Sequence, residues 1–278
     1  MQKQKILFIT HEMTPYLQTS DMADISRELP QQMQENGMEV RVFMPRFGMI
    51  KERKHRLHEV IRLSGINIPV GNEDNPLIIK VASLPSAKMQ IYFLDNEDFF
   101  NKRNYFRDDK NKFYADNDDR MIFFNKGAIE IILKLGWIPD VVHCHGWMTS
   151  LVPMYARTVY KNEPVFKNTK FIFSVYENDF EEKLGTDFIS KATVNGQNPD
   201  AFKYLENPDC NDLYLTGITY SDGIVLCTPE PDGELMSSIL KQDKPVLPFQ
   251  QYGTENFVEN HYEFYNNVLE NGVLEDKK

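Results

Sequence analysis

Apolar and polar residues alternate along this chain in the pattern expected of strands and helices that take turns. Lys5–Thr10 is an apolar run too short to span a membrane, and it predicts a buried strand. Met22–Asn36 follows with apolar residues three or four positions apart, which predicts an amphipathic helix ending at Gly37. Glu39–Met44 supplies the next strand. These segments form one β-α-β unit, whose crossover is right-handed in nearly all proteins.

The same alternation continues towards the carboxyl end. Further strands are predicted at Ile61–Ile68, Leu77–Ser83, Gln90–Leu94, from Val141, at Lys170–Tyr176 and at Gly223–Thr228. Further helices are predicted at Met121–Leu135, Leu151–Tyr160, Leu213–Tyr220 and Glu234–Leu240. Residues 97–120 are aromatic without a clean period, and 179–209 carry turn signals such as Asn195-Gly196. The order predicts an α/β fold with a mostly parallel sheet and helices on both faces.

Composition excludes several classes of protein. The chain of 278 residues has 41% hydrophobic and 26% charged residues, as globular proteins do. A net charge of −10 argues against a nucleic-acid partner. We expect no membrane association, because no apolar segment approaches the ~20 residues of a span and the amino terminus does not resemble a signal peptide. The three scattered cysteines predict a reducing, cytoplasmic location.

One stretch is basic despite the negative net charge. Its charged residues are Lys51, Arg53, Lys54 and Arg56, with His55 and His58 among them. A solvated helix face or loop is the simpler interpretation, and a specific anion-binding site is the alternative.

Two predicted strands end in polar segments that suit a ligand site. His143, His145 and Trp147 arrive where the strand from Val141 should end, and a polar loop begins at His11. Ligands of open α/β sheets bind outside the carboxyl ends of the strands. The alternative, that the histidines cap the next helix and fill space, stays equally open. Because successive strand residues face opposite ways, the intervening cysteine points away from both histidines, and we predict neither a metal site nor a cofactor.

These segments together resemble the family of bacterial glycogen synthases and plant starch synthases. The resemblance rests on seven segments in the family's order: Lys5-Ile-Leu-Phe-Ile-Thr-His-Glu-Met-Thr-Pro-Tyr, Ala23-Asp-Ile, Glu28-Leu-Pro, Val40-Arg-Val-Phe-Met-Pro-Arg-Phe-Gly, Tyr92-Phe-Leu-Asp-Asn, Asp116-Asn-Asp-Asp-Arg and Trp137-Ile-Pro-Asp-Val-Val-His-Cys-His-Gly-Trp. Members of this family have two facing Rossmann-like domains and use ADP-glucose to lengthen an α-1,4-glucan. The resemblance implies a single Rossmann-like, doubly wound half of such a glycosyltransferase, corresponding to its amino-terminal domain.

The resemblance fails at positions where the family carries chemistry. The family's loop Lys-Thr-Gly-Gly-Leu is Gln18-Thr19-Ser20-Asp21-Met here, so a lysine and two glycines are lost. The aspartate of the family's His-Asp-Trp is Gly146. Its Thr-Ile-His-Asn is Ser-Val-Tyr-Glu, which places Tyr176 and Glu177 at the histidine and asparagine. The matching residues are Asp24, His145 and Trp147.

These departures predict a catalytically degenerate domain with no confident catalytic residue. The candidate cleft residues are Thr19, Ser20, Asp21, Asp24, His143, His145, Trp147 and Glu177. The main hypothesis is a role in glucan binding or regulation, with glycogen, a maltooligosaccharide or a full-length synthase as partner. One alternative is an active ADP-glucose-dependent glucosyltransferase completed by a separate second domain. The other is a remodelled pocket for a different small ligand.

The tail carries a separate prediction. Aromatic and apolar residues recur every four positions from Phe257 to Leu269. We therefore divide the chain into a domain at 1–252 and an acidic tail at 253–278. Within that tail we predict an amphipathic helix at 255–271 that packs back on the domain.

Overall fold

The computed structural model describes residues 3–84, 87, 89–194 and 197–275, with side-chain surroundings up to residue 270, so the predicted turn at Asn195-Gly196 lies outside the described residues. The strands are β1 (Lys5–Ile9), β2 (Glu39–Pro45), β3 (His58–Glu59), β4 (Ile66–Val70), β5 (Glu73–Leu84), β6 (Met89–Asp95), β7 (Val141–His145), β8 (Lys170–Val175), β9 (Gly223–Leu226) and β10 (Val246–Leu247). The helices are α1 (Asp21–Glu35), α2 (Glu52–His55), α3 (Asn117–Lys134), α4 (Leu151–Arg157), α5 (Phe188–Ala192), α6 (Cys210–Tyr220), α7 (Gly233–Leu240) and α8 (Phe257–Glu275).

These strands form one mixed sheet in the order β10-β9-β8-β7-β1-β2-β6-β5-β3, with β4 paired to β5. Every neighbouring pair from β10 to β6 is parallel, and the β5 pairs are antiparallel. The predicted α/β class with a mostly parallel sheet is therefore confirmed. From β1 the chain moves one way along the sheet to β2, and from β7 it moves the other way to β8. The switch point of this doubly wound order lies between β1 and β7.

Helices cover both faces of the sheet because right-handed crossovers in opposite directions fall on opposite faces. On one face α6 packs closely on β8: a Cβ added at Gly217 would lie 2.5 Å from the Phe173 ring. On the other face α8 packs on β9, where a Cβ added at Gly223 would lie 2.8 Å from Val268 Cγ2. The α8 helix also contacts α1, so it covers the part of the sheet that α1 leaves open.

One predicted strand is wrong in part. Of the segment Ile61–Ile68, only the end from Ile66 belongs to β4, and a turn occupies the residues before it. Ile61 is 83% exposed, so it gains nothing from the sheet, and Gly65 has a φ of +83° that breaks the extended backbone. No described helix is long and apolar enough to cross a membrane.

Candidate functional site

The loops after β1 and β7 meet at the switch point of the sheet. Gly146 follows β7 with a φ of +72°, a conformation that glycine adopts without strain. A Cβ at this position would lie 2.9 Å from His11 Cε1 and 2.7 Å from Met22 Cε. A side chain at Gly146 would therefore require the His11 ring and the end of the Met22 side chain to move.

The two histidines of β7 point to the same face and are both buried and neutral. Their ring centroids are 4.1 Å apart. His143 joins Ser174 of β8 and Tyr265 of α8, each at 2.7 Å, and His145 Nδ1 lies 2.9 Å from the Tyr176 hydroxyl. Burial lowers the pKa of His145 to about 3 and holds that of His143 well below its ordinary value. These rings thus serve as uncharged hydrogen-bonding groups at neutral pH.

The loop before α1 closes onto the carboxylate of Glu12. Its Oε2 accepts the backbone N–H of Thr19 at 2.8 Å, the Thr19 hydroxyl at 2.6 Å and the backbone N–H of Ser20 at 3.2 Å. The Ser20 hydroxyl donates to the other carboxylate oxygen. Glu12 is 2% exposed. Backbone amides at the start of a long helix attract anions, and here a carboxylate of the chain itself meets them.

The neighbouring polar residues are also engaged within the loop. Asp24 accepts the Thr14 hydroxyl at 2.7 Å and the Gln18 amide at 2.9 Å. Asp21 is exposed and borders a small cavity of about 30 Å³ together with Tyr252 and other residues of the carboxyl end. The loop residues therefore stabilise one another rather than leave a row of free donors.

Aromatic side chains fill the space behind the switch point. Trp147 is fully buried, 4.7 Å from the ring of Phe106 and 4.9 Å from that of Phe180. Tyr105 packs 4.2 Å from Phe106, and Phe113 stacks on Phe180 at 4.9 Å. Most of the aromatic residues of the 97–120 segment thus anchor that segment in the core.

An open cleft of about 530 Å³ lies beside this point, after β8. Its lining residues, which we call the acidic cleft, are Arg107, Asn178, Asp179, Phe180, Glu181 and Glu182. Arg107 donates to both carboxylate oxygens of Glu182, at 2.7 and 3.1 Å. Burial raises the pKa of Asp179, whose carboxylate lies 3.9 Å from His11 Nε2. With its arginine already paired, the cleft presents carboxylates and one amide to a ligand.

Comparison with known proteins identifies the fold's relatives. The family model of the starch synthase catalytic domain matches residues 5–247. The chain is 37% identical to the glycogen synthase of Chlorobaculum parvum over 227 residues, which is 81% of this chain and 46% of that protein. It is 32% identical to the glycogen synthase of Pelodictyon phaeoclathratiforme over 270 residues, or 97% of this chain and 53% of the relative.

The chain belongs to the glycogen and starch synthase family. A solved structure, the catalytic domain of starch synthase IV from Arabidopsis thaliana bound to ADP and acarbose, aligns with a TM-score of 0.74 at 15% identity. That alignment covers 90% of this chain and 52% of that one, and it supports the fold. Among the first curated relatives, the chain spans from 35% to 53% of their length.

Within this fold, the positions predicted to depart from the family pattern have definite surroundings. Tyr176 turns its hydroxyl into the core towards His145, whereas Glu177 is exposed and only its carbonyl oxygen accepts the Tyr214 hydroxyl, at 3.3 Å. The aspartate that the family resemblance implies at Gly146 would require the His11 ring to move. The structure therefore brings His143, His145 and Tyr176 together, places Trp147 against His11, Phe106 and Phe180, and leaves Glu177 apart.

Sequence reasoning missed the residues that organise this site. Glu12 and His11 lie directly after β1, and Asp179 directly after the Tyr-Glu-Asn segment, but none was a candidate. A lone acid at the end of a buried strand, followed by a loop with Thr and Ser, is the signal that would have pointed to Glu12. The importance of Asp179 depends on the position of His11, which is distant in sequence.

Proposed function

We propose that this chain is a catalytically degenerate glycogen synthase-like domain that binds α-glucan through the acidic cleft. The observation that carries this proposal is the cleft itself, which follows β8 and is lined by carboxylates and one amide, while its arginine is already paired with Glu182. A pocket of about 530 Å³ is of a size that suits a small ligand. Sugar hydroxyls both donate and accept, so they match the carboxylates of Asp179 and Glu181 and the amide of Asn178.

The same charges disfavour a sugar nucleotide at this position. A diphosphate within ~4 Å of a carboxylate is repelled by about 1 kcal/mol even in a water-like dielectric. Arg107 is the cation that lines the cleft, and Glu182 takes both of its hydrogen bonds. Transfer of glucose requires stabilisation of the negative charge that develops on the departing diphosphate. Gln18, where the family has lysine, is bound to Asp24 and supplies no charge.

Titration calorimetry with maltoheptaose tests the proposal directly. We expect saturable binding to the purified chain, and a loss of about tenfold in affinity on Asp179→Ala, which is ~1.4 kcal/mol. Asp243→Ala is the matched control, because Asp243 is exposed in the turn before β10, far from the cleft. Absence of maltoheptaose binding, or an equal loss in the control, would reject the role of the cleft.

The competing function is an active ADP-glucose:α-1,4-glucan glucosyltransferase completed by a second domain or by a full-length synthase. It is favoured by the names of the relatives, which are glycogen synthases. It predicts ADP-glucose binding and transfer of labelled glucose to glycogen when the partner is added. Transfer at an ordinary enzymatic rate would replace the degenerate-domain proposal with this one.

We further propose a cytoplasmic location. The cysteines are unpaired in the structure, and burial raises the pKa of the Cys227 thiol to about 11. Unpaired thiols suit a reducing compartment.

A further inference from the structure

A second cleft lies at the same edge of the sheet, after β2. Its volume is about 610 Å³, and we call it the basic cleft after its lining residues Arg46, Gly48, Ile50, Lys51, Glu52, Arg53 and Lys54. Arg46 directly follows β2, and Asp95 ends the neighbouring β6. The cleft is thus built where strands end, which is where α/β sheets bind their ligands.

The charges at the base of the basic cleft neutralise one another. Arg46 is 7% exposed, and its guanidinium donates to Glu52 and, at 2.7 Å, to Asn101 Oδ1. Lys80 Nζ lies 2.7 Å from Glu52 Oε1 and 2.7 Å from Asp95 Oδ2. Two cations and two anions therefore form a network in which the charges balance. The carboxylate of Glu52 is turned into this network and is not free to neutralise the rim.

The rim is left with positive charge alone. Lys51, Arg53 and Lys54 are exposed, and none of them forms an ion pair with another described residue. Lys54 also borders an adjoining cavity of about 550 Å³, together with Arg56 and other residues. In a chain of net charge −10, such a cluster is a local reversal of sign. Like charges this close repel one another, and a bound anion relieves that repulsion.

The floor of the cleft is held in place by backbone packing. Gly48 donates its N–H to the Arg103 carbonyl at 2.8 Å. A Cβ at Gly48 would lie 2.5 Å from the Asn101 carbonyl oxygen, so the two loops approach as closely as glycine permits. The segment that carries the cations is therefore fixed on the loop after β6 rather than free in solvent.

We propose that the basic cleft binds a small molecule through a phosphate or pyrophosphate group, held by Lys51, Arg53 and Lys54. Arg46 and Lys80 fix Glu52 away from the ligand and so maintain the positive rim. The site is separate from the acidic cleft, which takes the neutral glucan. Its ligand can be free phosphate, a sugar phosphate or a nucleoside diphosphate, which share this chemistry.

Calorimetric titration of the whole chain with inorganic pyrophosphate at low ionic strength tests the site. We expect saturable binding with one equivalent, and at least a tenfold loss of affinity in the double variant Arg53→Glu/Lys54→Glu. The control is Lys167→Glu/Lys241→Glu, which changes the net charge equally at two exposed lysines distant from the cleft. Its affinity should stay within twofold of the parent chain.

Parallel titrations with glucose 1-phosphate and ADP distinguish the sources of the phosphate group. If one of the three ligands binds more tightly than the others, its chemical class is the preferred source of the phosphate group. Equal affinities mean that the phosphate group alone determines binding. No saturable pyrophosphate binding, or an equal loss in both double variants, overturns the proposal. Maltoheptaose affinity should be unchanged in Arg53→Glu/Lys54→Glu. A chain that does not bind pyrophosphate can therefore still bind glucan in the acidic cleft, and a chain that does not bind maltoheptaose can still bind pyrophosphate in the basic cleft.

Discussion

The acidic cleft and the basic cleft lie on opposite sides of the switch point, at the same edge of one sheet. Their volumes are similar, about 530 and 610 Å³, but their exposed charges are opposite. Each cleft is lined by one residue of the opposite charge to the rest, and that residue is already paired. Arg107 of the acidic cleft pairs with Glu182, and Glu52 of the basic cleft pairs with Arg46 and Lys80. The charge that a ligand meets is therefore set by internal pairing as much as by composition.

The largest expected difference concerns the two arginines. The Arg46 side chain is 8% exposed, whereas that of Arg107 is 31% exposed. Arg46→Ala leaves Glu52 and Asp95 short of a counter-charge in a desolvated network, and we expect it to lower the free energy of unfolding by about 3 kcal/mol. Arg107→Ala removes a solvent-screened pair and should cost less than about 1 kcal/mol. Urea denaturation measures both, and equal losses would contradict the distinction.

Gly146, at the switch point between the clefts, provides the next prediction. Gly146→Asp introduces the residue that the family resemblance implies, yet we expect it to destabilise the protein by about 2 kcal/mol, because it adds a Cβ in tight contact and strains a positive φ. Gly233→Ala is the control, since a Cβ there has nothing within 4 Å. Thermal unfolding compares the two variants. If Gly146→Asp left the stability unchanged, the side chains of His11 and Met22 would have to move aside at little cost in free energy.

Neutralising one carboxylate in each cleft should change the free energy of unfolding in opposite directions at neutral pH. Desolvation alone would raise the pKa of Glu52, but Lys80 and Arg46 outweigh it and hold this pKa below its ordinary 4.5. Glu52→Gln should therefore destabilise at neutral pH, and the difference should fade as the pH falls through 4.5 and below. Burial raises the pKa of Asp179 above 3.8, so Asp179→Asn should stabilise at neutral pH, with an advantage that fades towards 3.8. Urea midpoints across this range check both signs.

The smallest expected effect is that of salt. Exposed charges are screened within about 8 Å at physiological ionic strength. Pyrophosphate affinity should therefore fall several-fold between ~50 and ~200 mM salt, while maltoheptaose affinity stays within about twofold. Titrations at the two salt concentrations measure this. An equal response of both ligands would mean that the clefts do not differ in the way their charges indicate.

Much of the fold was predictable because the spacing of apolar residues indicates which face of a strand or helix is buried. The β1-α1-β2 unit was predicted to within two residues at each end, since its apolar runs face the core without interruption. The predicted strand Ile61–Ile68 was wrong in part because alternating apolar residues do not show whether a partner strand covers them. The sequence shows which charges are present, but their neutralisation depends on distant partners. Glu52 meets Lys80 only after the chain has folded, and Glu12 meets Ser20 only when the loop closes.

The path of α8 carries the chain from one end of the sheet's strands to the other. The helix begins near Tyr252, by the carboxyl ends of the strands, and Val268 lies against Gly223 at the amino end of β9. Lys5, the first residue of β1, lies at this same amino-terminal edge of the parallel strands. A tether attached at the exposed Lys3 or Glu270 would thus leave from the side of the sheet opposite both clefts. A surface-immobilised form of this chain should keep both clefts open to ligands in solution.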